Sequence, residues 1–276
     1  MTEASYLFGP AGWSYKDWEG TVYPQQKDKD FNPLLFLSQV FQFVEVNTAF
    51  YRIPSPRLTQ GWVKKTEEIP WFNFWVKVYQ GFTHERKVKT PDVNNFKAAL
   101  EPLNQSSQLA GLLIQYPYSF RLNTGNLNYV LALSRVFNEY IQAIEFRHSS
   151  WNRVELFEVF KEKKLVWVNI DQPEISSSLP LTSVLTHPEV SYFRLHGRNY
   201  ESWFSNEGRD ARYNYNYNAF ELDKIARKIK ELSTLAKKIF ISGNNHYKGN
   251  AVRNLQELKK LLGTSDDPDS EQKPVS

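Results

Sequence analysis

Eight short apolar runs punctuate the chain, and their spacing constrains the fold more than any other feature. They lie near Tyr6–Phe8, Phe43–Asn47, Phe72–Val78, Gly111–Gln115, Ala143–Arg147, Val166–Ile170, Ser191–Leu195 and Lys238–Ser242. Their starts are about 33 residues apart on average, room for one strand, one helix and the loops between. Most are continuously apolar rather than alternating, as strands covered on both faces are. The pattern predicts an α/β fold, a single (β/α)8 TIM-like barrel with a parallel eight-stranded core. That domain is expected over residues 1–263, followed by a disordered polar tail over 264–276.

Helix signals fall between the runs. Thr90 before Pro91 reads as an N-cap with proline at the first helical position. Asn218 with Glu221 resembles a capping box, and Leu222, Ile225, Ile229 and Leu232 follow at helical spacing. Leu156, Phe157 and Phe160 give another helix its apolar face, as do Leu255, Leu258 and Leu262. A doubly wound sheet uses the same alphabet, but the first run leads into Gly9–Pro10–Ala11–Gly12–Trp13, neither a dinucleotide fingerprint nor a P-loop.

Composition narrows the chemistry. The chain has no cysteine, which excludes disulfides, iron–sulfur clusters, Cys-ligated zinc and a thiol nucleophile. No run approaches the eighteen apolar residues of a membrane span, and no secretory signal opens the chain, so a cytoplasmic protein is expected. The net charge of +4 permits nucleic-acid contact without arguing for it. Aromatic residues make up 15% of the chain, which fits a bulky core, a sugar or base platform, or both.

In parallel barrels, chemistry gathers where strands end. Glu45, Glu145 and Arg194 each stand between apolar neighbours within a strand, an expensive placement unless the charges find one another. A buried ion-pair network and a polar ligand site both satisfy that need, and the number of strands involved favours the site. Glu45, Lys77, Glu145, Asp171 and Arg194 are expected to converge on one cavity. Burial would raise the pKa of Glu145 or Asp171 into the range of a general acid or base. Glu45 and Glu145 could also form a glycosidase pair, but pairing with Arg147 or Arg194 is the simpler reading. Glu145, Asp171 and His196 have the donor chemistry for a divalent metal, without the two-histidine spacing that would argue for one. No other cofactor is suggested.

Alternation places Arg194 and His196 on one strand face, and Gly197 turns the chain before Arg198. That trio is expected to bind a phosphate, sulfate or carboxylate. Trp13, Trp18, Trp62, Trp151 and Trp203, with Tyr213, Tyr215 and Tyr217, either pack under loops or line a pocket.

Ordered segments then carry a resemblance. They include Gly12–Trp13–Ser14–Tyr15, Val44–Glu45–Val46–Asn47–Thr48 with Phe50–Tyr51–Arg52, and Phe74–Trp75–Val76–Lys77 with Thr83–His84. Glu145–Phe146–Arg147–His148 with Ser150–Trp151, Asp171, Arg194–Leu195–His196–Gly197–Arg198 and Asn244–Asn245 continue the series. From about Tyr6 to Leu262 the chain resembles the YecE-like family, catalogued as domain of unknown function 72. The resemblance implies a TIM-barrel-like fold and supplies no reaction.

The expectation is an enzyme, a hydrolase or lyase acting on an anionic or phosphorylated small molecule. Glu145, Asp171 and His196 would be catalytic. Trp13, Glu45, Asn47, Tyr51, Lys77, His84, Arg147, Trp151, Arg194, Arg198, Asn244 and Asn245 would bind the ligand. The alternatives are a nucleic-acid-processing or nucleic-acid-binding barrel, and a ligand-binding protein without turnover.

Overall fold

A computed structural model describes residues 3–200 and 213–264. Trp203 and the expected tail beyond Thr264 lie outside the described residues. Eight parallel strands form one sheet: β1 (Ser5–Pro10), β2 (Phe43–Val46), β3 (Asn73–Lys77), β4 (Leu109–Gln115), β5 (Gln142–Glu145), β6 (Val166–Asp171), β7 (Val190–Leu195) and β8 (Lys238–Gly243). From β2 to β8 each strand pairs with the next in the chain, and β1 pairs with β8. The ladder is open only between β1 and β2, where Gln42 stitches the seam. Its side-chain carbonyl accepts from the Phe8 N–H, and its own N–H donates to the Phe8 carbonyl, both at 3.1 Å. A lone bridge between Ala11 and Glu45 extends the contact, so the barrel is nearly closed.

Helices cover most crossings, among them Pro56–Lys65, Thr90–Gln105, Thr124–Val136, Val154–Glu162, Ala219–Lys230 and Asn250–Leu262. The capping box forms as expected: Asn218 accepts from the Glu221 N–H, and Glu221 accepts from the Asn218 N–H. Thr90, however, is the first helical residue, and Lys89 occupies the cap with no side-chain bond. The other departure from a full (β/α)8 pattern is the β6–β7 crossing, which contains no helix. It carries Pro173, Pro180 and Pro188, each lacking the N–H a helix needs. The segment lies along the outer face of β6 instead, and side chains replace the missing ladder. Asn169 accepts from the Val184 N–H at 2.9 Å and donates to the Val184 carbonyl at 3.1 Å, while Thr186 accepts from the Trp167 N–H at 2.8 Å.

The barrel interior explains the aromatic content. Phe43, Trp75, Tyr192 and Phe240 point inward from β2, β3, β7 and β8, and Phe43 and Trp75 each meet Tyr192 and Phe240 edge to face. Ring centroids are 4.7 Å apart for Trp75–Tyr192 and 5.3 Å for Phe43–Phe240. Gly111 makes room on β4, because a Cβ there would stand 2.6 Å from the Trp75 ring. The polar residues sit two positions further along the same strands: Glu45, Lys77, Arg194 and Ser242, joined by Glu145 from β5. Side chains two apart share a face, so a charged layer lies directly above the aromatic one.

Candidate functional site

Arg194 is the centre of the charged layer. Its Nε and Nη2 donate to the two oxygens of Glu45 at 2.9 and 2.5 Å, and its Nη1 donates to Glu145 at 3.0 Å. Tyr192 and Ser242 add hydroxyl bonds to Glu45 at 3.0 and 3.1 Å. Glu145 also faces Arg147 Nε at 2.7 Å and His196 Nε2 at 3.3 Å. All of these except Arg147 are sealed from solvent.

These contacts reverse the expected ionisation of Glu145. Burial alone would raise its carboxyl, but Arg147, Arg194 and His196 together hold it well below the usual carboxylate range. Each of its oxygens lies at ion-pair distance from a guanidinium, so the raised carboxyl expected from burial alone is not what this layer produces. His196 is neutral, pushed well below its ordinary value by burial and by Arg147, with Arg194 adding to the effect against Glu145. Arg147 can only donate, so the His196 Nδ1 near Arg147 Nη2 (3.3 Å) and Asn244 Nδ2 (2.9 Å) is the acceptor. Nε2 faces both Glu145 Oε1 at 3.3 Å and Arg194 Nη1 at 3.4 Å.

Asp171 does not join this layer. β6 registers Ile170 with Arg194 and Asp171 with Leu195, so Asp171 projects from the outward face of the strand. There it accepts from Arg198 Nη2 at 2.6 Å and from the Tyr217 hydroxyl at 2.6 Å. Arg198 is thus committed to Asp171 and, more loosely, to Glu221 at 3.4 Å. The expected anion trio splits: Arg194 and His196 are sealed among partners, and Arg198 serves a second cluster. Gly197 has φ +82°, and a Cβ there would meet Tyr215 at 2.6 Å, so packing as well as the turn requires it. Among the described residues no group of three or more His, Asp or Glu is placed to hold a metal ion.

Above the charged layer lies a cavity of about 270 Å³. Of the ligand-binding residues expected from sequence, Asn47, Tyr51, Lys77, Arg147, Arg194 and Asn244 line it. Tyr15, Thr48, Phe50, Gln115, Tyr213 and His246 complete its wall. His246 stacks on Tyr15 at 4.2 Å and lies tilted against Tyr213 at 4.8 Å. Lys77 ends β3 with its ammonium 4.1 Å from the centre of the Phe50 ring.

The remaining expected ligand contacts lie elsewhere. Glu45 is beneath the cavity floor. Trp151 stacks on Phe146 at 3.9 Å and donates to the Phe120 carbonyl at 2.6 Å, fully buried under its loop. Trp13 packs edge-on against Trp62 at 5.5 Å. Asn245 binds the Tyr215 carbonyl and Asn254. His84 is exposed, with its ring edge-on to Phe50 at 4.9 Å and its Nδ1 2.9 Å from the Thr83 hydroxyl. With Trp18, Trp62 and Trp151 all buried, much of the aromatic platform that favoured nucleic acid belongs to the core. Sequence reasoning missed Tyr192 and Ser242 as partners of Glu45. Their alternation with Arg194 and their register on β8 were the available signals.

Among the described residues no helix is long and apolar enough to cross a membrane. The family model described as "Protein of unknown function DUF72" matches residues 7–275. The UPF0759 protein YunF of Bacillus subtilis (strain 168) is 31% identical over 269 residues, covering 92% of this chain and 93% of that protein. A DUF72 family crystal structure from Thermotoga maritima is 34% identical, with a TM-score of 0.79 over 93% of this chain and 98% of that one. Another, from Enterococcus faecalis, is 26% identical, with a TM-score of 0.82 over 94% of this chain and 96% of that one. With its model spanning nearly the whole chain and relatives above 30% identity at almost full length, this protein belongs to the DUF72 family.

Proposed function

We propose that this protein is an enzyme of the lyase or hydrolase type that takes a small anionic molecule into the cavity at the strand ends. The observation that carries the reading is the sign of the charge on the cavity wall. Lys77, Arg147 and Arg194 line it, while the carboxylates beneath them, Glu45 and Glu145, do not. An entering anion meets cationic and amide groups, and the low dielectric of an enclosed site strengthens each contact. Arg147 is the principal anchor: 11% of its side chain remains exposed against 1% for Arg194. Asn47, Gln115 and Asn244 offer amides for the neutral part of the ligand.

Isothermal calorimetry with inorganic phosphate and with small carboxylates tests the reading. Arg147→Ala should weaken the tightest of these by about 1.5–3 kcal/mol, the usual worth of a hydrogen bond to a charged group. Equal affinity in wild type and variant would overturn it. A nucleic-acid-binding barrel predicts instead an affinity for DNA or RNA that falls linearly with the logarithm of salt concentration.

A further inference from the structure

Every carboxylate and guanidinium of the charged layer is engaged by an opposite charge, and Lys77 is the exception. Among the described residues no carboxylate lies within ion-pair distance of its ammonium, which stands over the face of Phe50. It projects from the last residue of β3 into the cavity, partly exposed there and otherwise surrounded by protein. We propose that Lys77 is a nucleophile, whose amine condenses with the carbonyl carbon of a small anionic aldehyde or ketone to form an imine.

The proposal rests on the anion-binding reading of the same cavity and adds the chemical class of the ligand. Arg147 would hold the carboxylate or phosphate while the carbonyl faces Lys77. In the first step the amine nitrogen bonds to the carbonyl carbon, the C=O π pair moves to oxygen, and the amine proton passes to that oxygen. In the second step the C–O bond breaks, a proton from solvent lets the oxygen leave as water, and the nitrogen lone pair closes the C=N bond. One water is released per imine, and no oxidant or reductant is consumed. The hydroxyl of the first adduct needs an acceptor. Asn47 lines the same cavity, and its Oδ1 is buried with no hydrogen-bond partner in the structure.

The ionisation of Lys77 agrees with that role. Burial first, then Arg194 and Arg147, lower its pKa, Glu145 and Glu45 oppose them, and the balance is about 7. His84, also in its field, packs edge-on against Phe50. A lysine at its ordinary value is almost wholly protonated at neutral pH, whereas one near 7 presents roughly half its molecules as free amine.

Trapping on the intact protein decides the matter. Wild type is incubated separately with pyruvate, glyoxylate and glycolaldehyde phosphate, then reduced with borohydride and analysed by intact mass and peptide mapping. The expected result is one adduct per chain on Lys77 with at least one probe, at an initial rate that rises about tenfold from pH 6 to pH 8. Lys77→Arg, which cannot form an imine, should lose that adduct, while phosphate binding is read by calorimetry on the wild type. Phosphate binding with no adduct from any probe overturns the nucleophile and leaves the anion site standing. Neither binding nor adduct overturns both. Modification spread over surface lysines, unchanged in Lys77→Arg, overturns the nucleophile as well. Because the site is mapped in wild type, the outcome does not depend on the variant folding.

Discussion

Replacing Arg194 by methionine isolates the electrostatic work of the charged layer, because the unbranched side chain keeps much of the volume and removes only the guanidinium. Glu145 would retain Arg147 at 2.7 Å and His196 at 3.3 Å. Glu45 would retain only the neutral hydroxyls of Tyr192 and Ser242 at 3.0 and 3.1 Å. The damage therefore concentrates on one sealed carboxylate, and breaking such a pair costs about 3–5 kcal/mol. At roughly 2–4 °C per kcal/mol for a chain of this size, melting should fall by about 6–20 °C.

The loss should depend on pH, with a definite sign. In wild type, the depressed Glu145 carboxyl contributes stability that is fully present above its unfolded value and is lost as pH falls through its lower folded value. In the variant, a buried carboxylate without a cation relieves its charge by taking up a proton, so the penalty shrinks towards acid. Urea unfolding at pH 5 and pH 8 should show a smaller gap from wild type at pH 5. Adding Glu45→Gln should restore most of the loss by removing the stranded charge. Wild-type stability in Arg194→Met, or a gap independent of pH, would refute the account of the layer.

Two further substitutions separate packing from binding. Gly111→Ala would set a methyl 2.6 Å from the Trp75 ring and 2.7 Å from the Ile141 carbonyl; overpacking of this kind costs about 1–3 kcal/mol, read from the urea midpoint. Trp151→Ala should cost about 3–5 kcal/mol by emptying the stack on Phe146, while leaving phosphate affinity unchanged in calorimetry; a matched loss of affinity would return Trp151 to the cavity wall.

The strands were legible because each is a short apolar run bounded by loops, and β2, β5 and β7 each carry one charge that stands out among apolar neighbours. Their parity could be read, since Glu45, Glu145 and Arg194 are inward for the same reason that they looked misplaced. β6 defeated the same reasoning. Val166–Trp167–Val168–Asn169–Ile170–Asp171 is covered on both faces, by the barrel interior and by the β6–β7 crossing, so its pattern does not tell inside from outside. Asp171 was consequently placed on the wrong face, and with it the metal set and the anion trio. The missing helix of that crossing had a signal in its three prolines. The cavity wall had little: Tyr15 and His246 are 231 positions apart and meet only because β1 and β8 pair.

The period of two along the strands separates two jobs that look identical in sequence. Trp75 and Tyr192 lie in an aromatic floor that excludes water, and Lys77 and Arg194, two positions on, lie above it. Charges above such a floor cannot be solvated from below, so Glu45, Glu145 and Arg194 must satisfy each other, and in doing so they become rigid. A rigid platform of paired charges is what lets Lys77 stand above it with no described carboxylate at ion-pair distance. Arg147 and Lys77 feel fixed charges at fixed distances rather than mobile water, and both line the cavity. Stability is thus carried by the residues whose charges are buried, and ligand chemistry by the neighbours whose charges or amides still face open space.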